Sequence, residues 1–314
     1  PHHNFSWKVL AEIFKKIDRI PEALAAAQKA VEIVPQDADA HYNLGVLLQE
    51  LGRVEEAEAS YTQAIALKLD YPEAYSNLGI ILKELGRLDE AEASYMQAIA
   101  LRPDYADAHN NLGNTLKELG RLDEAEASYS QAIALKPDFA DAHSNLGVTL
   151  QELGRVEEAE ASCRQAIALK PDYAEAHSIL GVTLQELGRL DEAEASYSQA
   201  IALKPDFAGS HYNLGITLQE LGRLDEAEAS FTQAIALKPD FTKAHNSLLR
   251  CLYLLDKESL FFDKLDYSIN EDTATATIGS LTCRSALKYG VEKPNLFCRE
   301  PLKYVLHIDM NTQY

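Results

Sequence analysis

Apolar and polar residues follow one pattern along this chain, and the pattern returns every 34 residues. Within residues 106–139 the apolar positions are separated by four, four and three residues, which is the spacing of a single helix face. They are Ala108, Leu112, Leu116 and Leu119. A fixed period of this length is typical of a solenoid, in which each unit buries its apolar face against its neighbours. The six near-identical blocks are 38–71, 72–105, 106–139, 140–173, 174–207 and 208–241.

Each block is predicted to form two helices. In the block 106–139, Gly120 ends the first helix, because glycine adopts the left-handed conformation past a helix end without a steric clash. The second helix begins near Leu122 with two acidic residues in its first turn, and Pro137 stops it because proline lacks an amide hydrogen. Its predicted buried stripe consists of Ala125, Tyr129, Ala132 and Ile133.

Two local features within the blocks are also predicted. Small residues such as Gly113 and Ala125 stand where the two helices need to approach closely, and the ring of Tyr129 fills the space between them. At the helix starts, an Asp followed three residues later by a Glu has the spacing of a capping box. The clearest examples are Asp70 with Glu73 and Asp172 with Glu175.

The motif L-G-x-x-L, followed by A-x-x-x-Y and then Pro, resembles the tetratricopeptide repeat (TPR) pattern. The resemblance implies an all-α, right-handed α-solenoid of helix-turn-helix repeats. A degenerate copy at 4–37 precedes the six blocks, and a capping helix or half repeat at 242–257 follows them.

Residues 258–314 break the pattern and are expected to be a short irregular tail. The stretch 254–262 is expected to cover the open end of the stack, and 273–280 and 304–308 have strand-like composition. The segment 288–305 resembles the link between repeats and a 2-oxoglutarate oxygenase domain. The tail is therefore a candidate linker to a catalytic domain beyond residue 314.

Charge limits the class of partner. The formal net charge is -20, of which residues 258–314 contribute only -2 from eight acidic and six basic side chains. A nucleic-acid partner is not expected, because a phosphate backbone requires a basic stripe.

No segment has the length and apolarity of a membrane span, and the four cysteines show no metal-site spacing, so a cytoplasmic protein with reduced thiols is expected. Cys163 stands in the slot of Tyr129 and is expected to be a buried thiol.

Candidate catalytic groups repeat in every block, which favours a structural role, because an active site is normally made once. The histidines are too far apart to share a metal and are expected to pack between helices. His307 and Asp309 form an H-x-D pair without the later histidine of an iron triad. With no phosphate-binding loop or nucleophile motif and no cofactor implied, the chain as it stands is not expected to be an enzyme. The repeated histidines are His41, His109, His143, His177, His211 and His245.

An asparagine ladder is predicted on the concave wall that, by the resemblance, first helices line. Its members are Asn43, Asn77, Asn111, Asn145 and Asn213, with Ile179 as an interruption. The ladder is similar to that of the repeat arm of O-linked N-acetylglucosamine transferases, where asparagines hold extended substrate. Two interpretations stay open: the amides bind a peptide backbone, or they bond to adjacent helices and rigidify the stack.

Other groove positions vary between blocks and are candidates for specificity. They are Tyr42, Asn110 and Tyr212 beside the ladder, and Gln49, Lys83 and Lys117 one turn later. Two lysines among glutamines and acids do not make a basic clamp for an acidic chain end. The predicted function is a protein-interaction scaffold that binds a basic or neutral peptide. The alternative is the substrate-recruiting arm of a larger glycosyltransferase or oxygenase, and the oligomeric state stays open.

Overall fold

A computed structural model describes residues 2–270, which form sixteen α-helices and no strand within that range. The chain divides into two compact units, residues 1–155 and 156–314. The first unit contains α1 (His2–Lys16), α2 (Ile20–Ile33), α3 (Ala38–Glu50), α4 (Val54–Leu67), α5 (Pro72–Glu84), α6 (Leu88–Leu101), α7 (Ala106–Glu118), α8 (Leu122–Leu135) and α9 (Ala140–Glu152). The second contains α10 (Val156–Leu169), α11 (Ala174–Glu186), α12 (Leu190–Leu203), α13 (Ala208–Glu220), α14 (Leu224–Leu237), α15 (Thr242–Leu254) and α16 (Glu258–Asn270).

Helices pack in chain order within each unit. The two helices of a block form the most extensive contact, and the second helix of each block packs on the first helix of the next. First helices of neighbouring blocks also touch, as α5 and α7 do in the first unit and α11 and α13 in the second. The all-α solenoid predicted from the sequence is therefore confirmed, with first helices side by side along one wall of each unit.

The close approach predicted between the helices of a block is present. A β-carbon added to Gly113 would lie only 2.6 Å from Cε1 of Tyr129, and Tyr129 is completely buried. No other residue fits at Gly113 without moving the ring, so this pair sets the distance between α7 and α8. The same relationship holds for Gly45 with Tyr61, Gly79 with Tyr95, Gly181 with Tyr197 and Gly215 with Phe231.

The helix ends follow the prediction for glycine but not for the capping boxes. Gly120 has φ +75°, which is the left-handed conformation that ends α7. The capping-box prediction is wrong, because the residue before α5 is Tyr71 and no side chain caps that helix. Glu73 instead accepts a hydrogen bond from Arg102, 2.8 Å away, at the end of the same block. Glu175 likewise accepts from Lys204 at 2.9 Å.

Ion pairs on the outer edge connect each block after 38–71 to the block before it. Arg121 contacts Glu92 of the preceding second helix at 2.6 Å and Glu124 of its own second helix at 2.6 Å. The repeated acids of the second helices therefore have specific cationic partners in addition to their favourable place at the helix start. The equivalent pairs between blocks are Arg87–Glu58, Arg155–Glu126, Arg189–Glu160, Arg223–Glu194 and Lys257–Glu228.

The last described helix begins at Glu258, the residue at which the TPR motif ends in the sequence. α16 packs on α15 and buries Phe261, Phe262 and Leu265, so the end of the second unit is closed by a helix whose sequence no longer matches the motif. The strand-like stretches 273–280 and 304–308 and the link-like segment 288–305 lie outside the described residues. Cys283, Cys298, His307 and Asp309 lie outside them as well.

Candidate functional site

The repeated histidines lock the loop between blocks. Nε2 of His143 lies 3.1 Å from the carbonyl oxygen of Pro137, six residues earlier. Because a carbonyl can only accept, Nε2 carries the proton. At the junction between blocks 38–71 and 72–105, Leu69 replaces the proline and Tyr75 replaces the histidine. Equivalent bonds are His41–Pro35, His109–Pro103, His177–Pro171, His211–Pro205 and His245–Pro239.

These bonds support the structural role predicted for the histidines. Among residues 2–270, no three histidine, cysteine or acidic side chains are grouped as the ligands of a metal ion would be. Cys163 is buried, as predicted, and burial raises the pKa of its thiol to about 12.

The first-helix groove is the wall formed in each unit by the first helices of the blocks, and its central residues are those of the asparagine ladder. In the first unit, two ladder residues bond to the neighbouring repeat. Nδ2 of Asn77 donates to the hydroxyls of Tyr42 at 3.2 Å and Tyr61 at 3.3 Å. Nδ2 of Asn145 donates to Oδ1 of Asn110 at 3.0 Å. These two amides therefore match the stack-rigidifying interpretation.

The other ladder residues have unused hydrogen-bonding capacity. The side-chain amides of Asn43 and Asn111 in the first unit, and of Asn213 in the second, form no hydrogen bond with any described residue, although each is partly exposed. Asn43 also lines a cavity of about 380 Å³ between α1 and α3. Ile179 is the interruption of the ladder in the second unit. The ladder is thus divided into amides that hold the stack and amides that remain open to a ligand.

The variable residues beside the ladder pack against neighbouring side chains. Asn110 is only 6% exposed and accepts from Asn145, so it supports the ladder from below. The ring of Tyr42 packs 5.0 Å from Tyr71, and burial raises the pKa of its hydroxyl. In the second unit, the Tyr212 ring lies 5.0 Å from Phe241. The two tyrosines therefore shape the groove floor more than they project from it.

The residues one turn later connect adjacent first helices. Gln49 accepts a hydrogen bond from the Tyr61 hydroxyl at 2.8 Å. Lys83 pairs with Glu118 of the next first helix at 2.7 Å. Lys117 has no ion-pair or hydrogen-bond partner among the described residues and stays available in the groove.

Sequence reasoning missed the role of the buried tyrosine hydroxyls at the groove floor. The Tyr129 hydroxyl donates to Oδ1 of Asn114 at 2.8 Å, and the Tyr197 hydroxyl donates to Gln185 at 3.3 Å. Tyr95, which is 1% exposed, has a hydroxyl with no partner among the described residues. One signal was present in the sequence, since Asn114 occupies a slot that is apolar in other blocks, as at Ile80 and Val148.

None of the helices in the described part has the length and apolarity needed to span a bilayer.

No curated protein matches the chain in sequence. Among solved structures, the anaphase-promoting complex hetero-tetramer Cut9-Hcn1 gives a TM-score of 0.64 at 18% identity, covering 85% of this chain and 52% of that chain. Pseudomonas aeruginosa pilF gives a TM-score of 0.60 at 20% identity, covering 66% of this chain and 94% of that chain. YrrB, a TPR protein with an unusual peptide-binding site, gives 0.49 at 26% identity, covering 59% and 95%.

Two family models match the sequence. Residues 69–261 match the cilia and flagella-associated protein 70 C-terminal domain, a TPR model that covers more than half of the chain. Residues 11–52 and 47–86 match the TPR repeat. Proteins of this repeat type are typically non-catalytic scaffolds, and this chain as it stands is one of them. The chain therefore belongs to the tetratricopeptide repeat family, with residues 69–261 in the C-terminal TPR class of cilia and flagella-associated protein 70.

Proposed function

We propose that this repeat scaffold binds an extended peptide segment of a protein partner along the first-helix groove. The observation that supports the proposal is the set of open amides at Asn43, Asn111 and Asn213, which have no hydrogen-bond partner among the described residues. An amide offers both a donor and an acceptor, so it can pair with a peptide bond whatever the side chain of the ligand.

The spacing of the open amides suggests how a peptide is held. Asn43 and Asn111 are two blocks apart in the first unit, with the stack-bonded Asn77 between them. Adjacent helices pack at roughly 10 Å, so the two amides are separated by about 20 Å, or about six residues of extended chain. The proposed contacts therefore fall at about every sixth residue of the ligand.

Charge favours a basic or neutral ligand. Glu50, Glu84, Glu118 and Glu152 occupy equivalent positions at the ends of four first helices of the first unit. Lys15 pairs with Glu50 and Lys83 with Glu118, which leaves Glu84 and Glu152 without a cationic partner among the described residues. An acidic segment would have to approach these uncompensated carboxylates, whereas a basic one is attracted to them.

Peptide retention by immobilised protein tests the proposal. The probe is a library of random nonapeptides blocked at both ends. The double variant Asn43→Ala/Asn111→Ala is expected to retain several-fold less peptide than the wild type and to unfold at an unchanged temperature. The matched variant Asn77→Ala/Asn145→Ala removes the same groups from the stack-bonded positions and is expected to unfold at a lower temperature. Equal retention by the wild type and the open-amide variant would contradict binding through the ladder.

A further inference from the structure

The junction between α5 and α7 lacks the hydrogen bonds that close the junction between α3 and α5. At the earlier junction, the Tyr61 hydroxyl donates to Gln49 at 2.8 Å and accepts from Asn77 at 3.3 Å. Tyr95 and Asn111 are the residues 34 positions after Tyr61 and Asn77. Neither of these side chains has a hydrogen-bond partner among the described residues. Two polar groups that are satisfied at one junction are thus left open at the next.

Two substitutions between blocks explain why the Tyr95 hydroxyl has no acceptor. The position of Gln49 is taken by Lys83, which can only donate, and its Nζ is already engaged by Glu118 at 2.7 Å. In block 106–139, Asn114 accepts a hydrogen bond from the Tyr129 hydroxyl. The equivalent residue of block 72–105 is Ile80, whose side chain has no acceptor. Tyr95 is 1% exposed, and its hydroxyl, which has no acceptor among the described residues, is not one of the fully buried unsatisfied atoms and so keeps contact with solvent. Such groups are normally satisfied by protein, water or ligand.

An exposed carboxylate lies beside this open hydroxyl. Glu84 ends α5 and has no cationic partner among the described residues. It directly follows Lys83, whose Nζ lies 2.7 Å from Glu118 of α7, so Glu84 lies at the same junction as Tyr95 and Asn111. Burial raises the pKa of Tyr95 well above its usual range, and the charges of Glu84 and Glu118 raise it further. Glu118 is paired with Lys83, so Glu84 is the carboxylate without an ion pair at this junction, and Lys117 at the end of α7 is the cation without one.

We propose that Tyr95, Asn111 and Glu84 form a subsite for a lysine or arginine residue of the extended partner segment, a proposal that rests on the peptide binding proposed above. The Tyr95 hydroxyl donates to a backbone carbonyl of that residue, and the Asn111 amide pairs with its peptide bond. Glu84 receives the cationic head. No equivalent combination is available at the α3–α5 junction, where Asn77 and Tyr61 are bonded to each other.

The same blocked nonapeptide library tests the subsite, with sequencing of the retained peptides. Wild-type protein is expected to enrich lysine or arginine at one position. Glu84→Gln is expected to abolish that enrichment, whereas Asp89→Asn removes a carboxylate on α6 of the same block and is expected to leave it intact. Asp89 is exposed in the first turn of that second helix.

The hydroxyl is tested separately with one peptide from the enriched pool. Tyr95→Phe is expected to weaken its binding by roughly fivefold with no loss of thermal stability, because the hydroxyl has no partner among residues 2–270. Tyr61→Phe removes an internally bonded hydroxyl and is expected to lower thermal stability while leaving binding unchanged. If the wild type retains peptides without enrichment of lysine or arginine, or if Glu84→Gln shows the same enrichment as the wild type, the subsite is wrong. Either result would still be consistent with peptide binding in the groove. Retention of no peptide at all would contradict groove binding and the subsite together.

Discussion

Gly113 lies against the ring of Tyr129 so closely that a β-carbon on the glycine would stand 2.6 Å from Cε1 of the tyrosine. Gly113→Ala is therefore expected to lower the free energy of unfolding by about 1–3 kcal/mol, because the ring has to leave its packed position. Urea denaturation followed by circular dichroism measures the change. Gly209→Ala is the control, since its added β-carbon would meet only an ordinary contact, 3.7 Å from Phe207. Similar midpoints for both variants would contradict this account of the helix spacing.

Gly209 occupies the position where the other five blocks have Asp or Glu, and α13 accordingly has no acidic residue in its first turn. Gly209→Glu is expected to stabilise the chain by about 0.5–1 kcal/mol, through helix propensity and the helix dipole. The new carboxylate can also pair with Lys238, as Glu175 pairs with Lys204 at 2.9 Å. Gly209→Gln separates propensity from charge, and a gain that is the same for both variants at low salt would exclude the ion pair.

Low pH is expected to weaken the ion pairs on the outer edge. The hydrogen bond from Arg121 holds the pKa of Glu124 below its usual value. A carboxyl group whose pKa is lower in the folded state contributes stability above its unfolded pKa of about 4.3, and this contribution is lost as pH falls through the folded pKa. The same direction holds for Glu56, Glu90, Glu192 and Glu226.

The unfolding temperature is therefore expected to be nearly constant from pH 8 to pH 6 and to fall below about pH 4.5. Thermal melts across this range measure it. Arg121→Gln removes the partner of Glu124 and is expected to reduce the acid dependence. A variant with the same acid dependence as the wild type would show that this pair contributes nothing to stability, as many exposed pairs do.

Cys163 is expected to resist alkylation in the folded protein. Its side chain is buried, and burial raises the pKa of the thiol to about 12, so very little thiolate is present at pH 8. Iodoacetamide labelling with peptide-resolved mass spectrometry should show slow modification in buffer and fast modification in urea. Fast labelling of Cys163 in buffer would indicate that the second unit opens locally in this region.

The repeat period predicted the helices and their close contacts because these depend on residues within one block. Gly120 and Pro137 mark helix ends by backbone chemistry alone, and the Gly113–Tyr129 contact follows from their places in the motif. The capping-box prediction was wrong because it considered only residues close together in the sequence. Glu73 is drawn to Arg102 at the far end of its block, a contact that no local spacing reveals.

The division of the asparagine ladder could not be predicted, because it depends on the neighbouring block. Asn77 is bonded because Tyr42 and Tyr61 present hydroxyls to it, whereas Asn111 meets no such pair of bonds. The sequence shows five asparagines in equivalent slots and gives no direct measure of which are engaged. Asn114 was detectable in principle, as a polar residue in an otherwise apolar slot, but its function became clear only from its bond to Tyr129.

The ion pairs between blocks also bear on how such a chain changes length. From Arg87 to Arg223, each arginine of the outer edge contacts a glutamate 29 residues earlier, and every block contains its own copy of both positions. Removal of residues 106–139 would bring Arg155 to Glu92 in place of Glu126, with the spacing preserved. A deletion whose length is not a multiple of 34 would misalign these pairs. Whole blocks can therefore be removed or duplicated while each of these ion pairs keeps a matching partner.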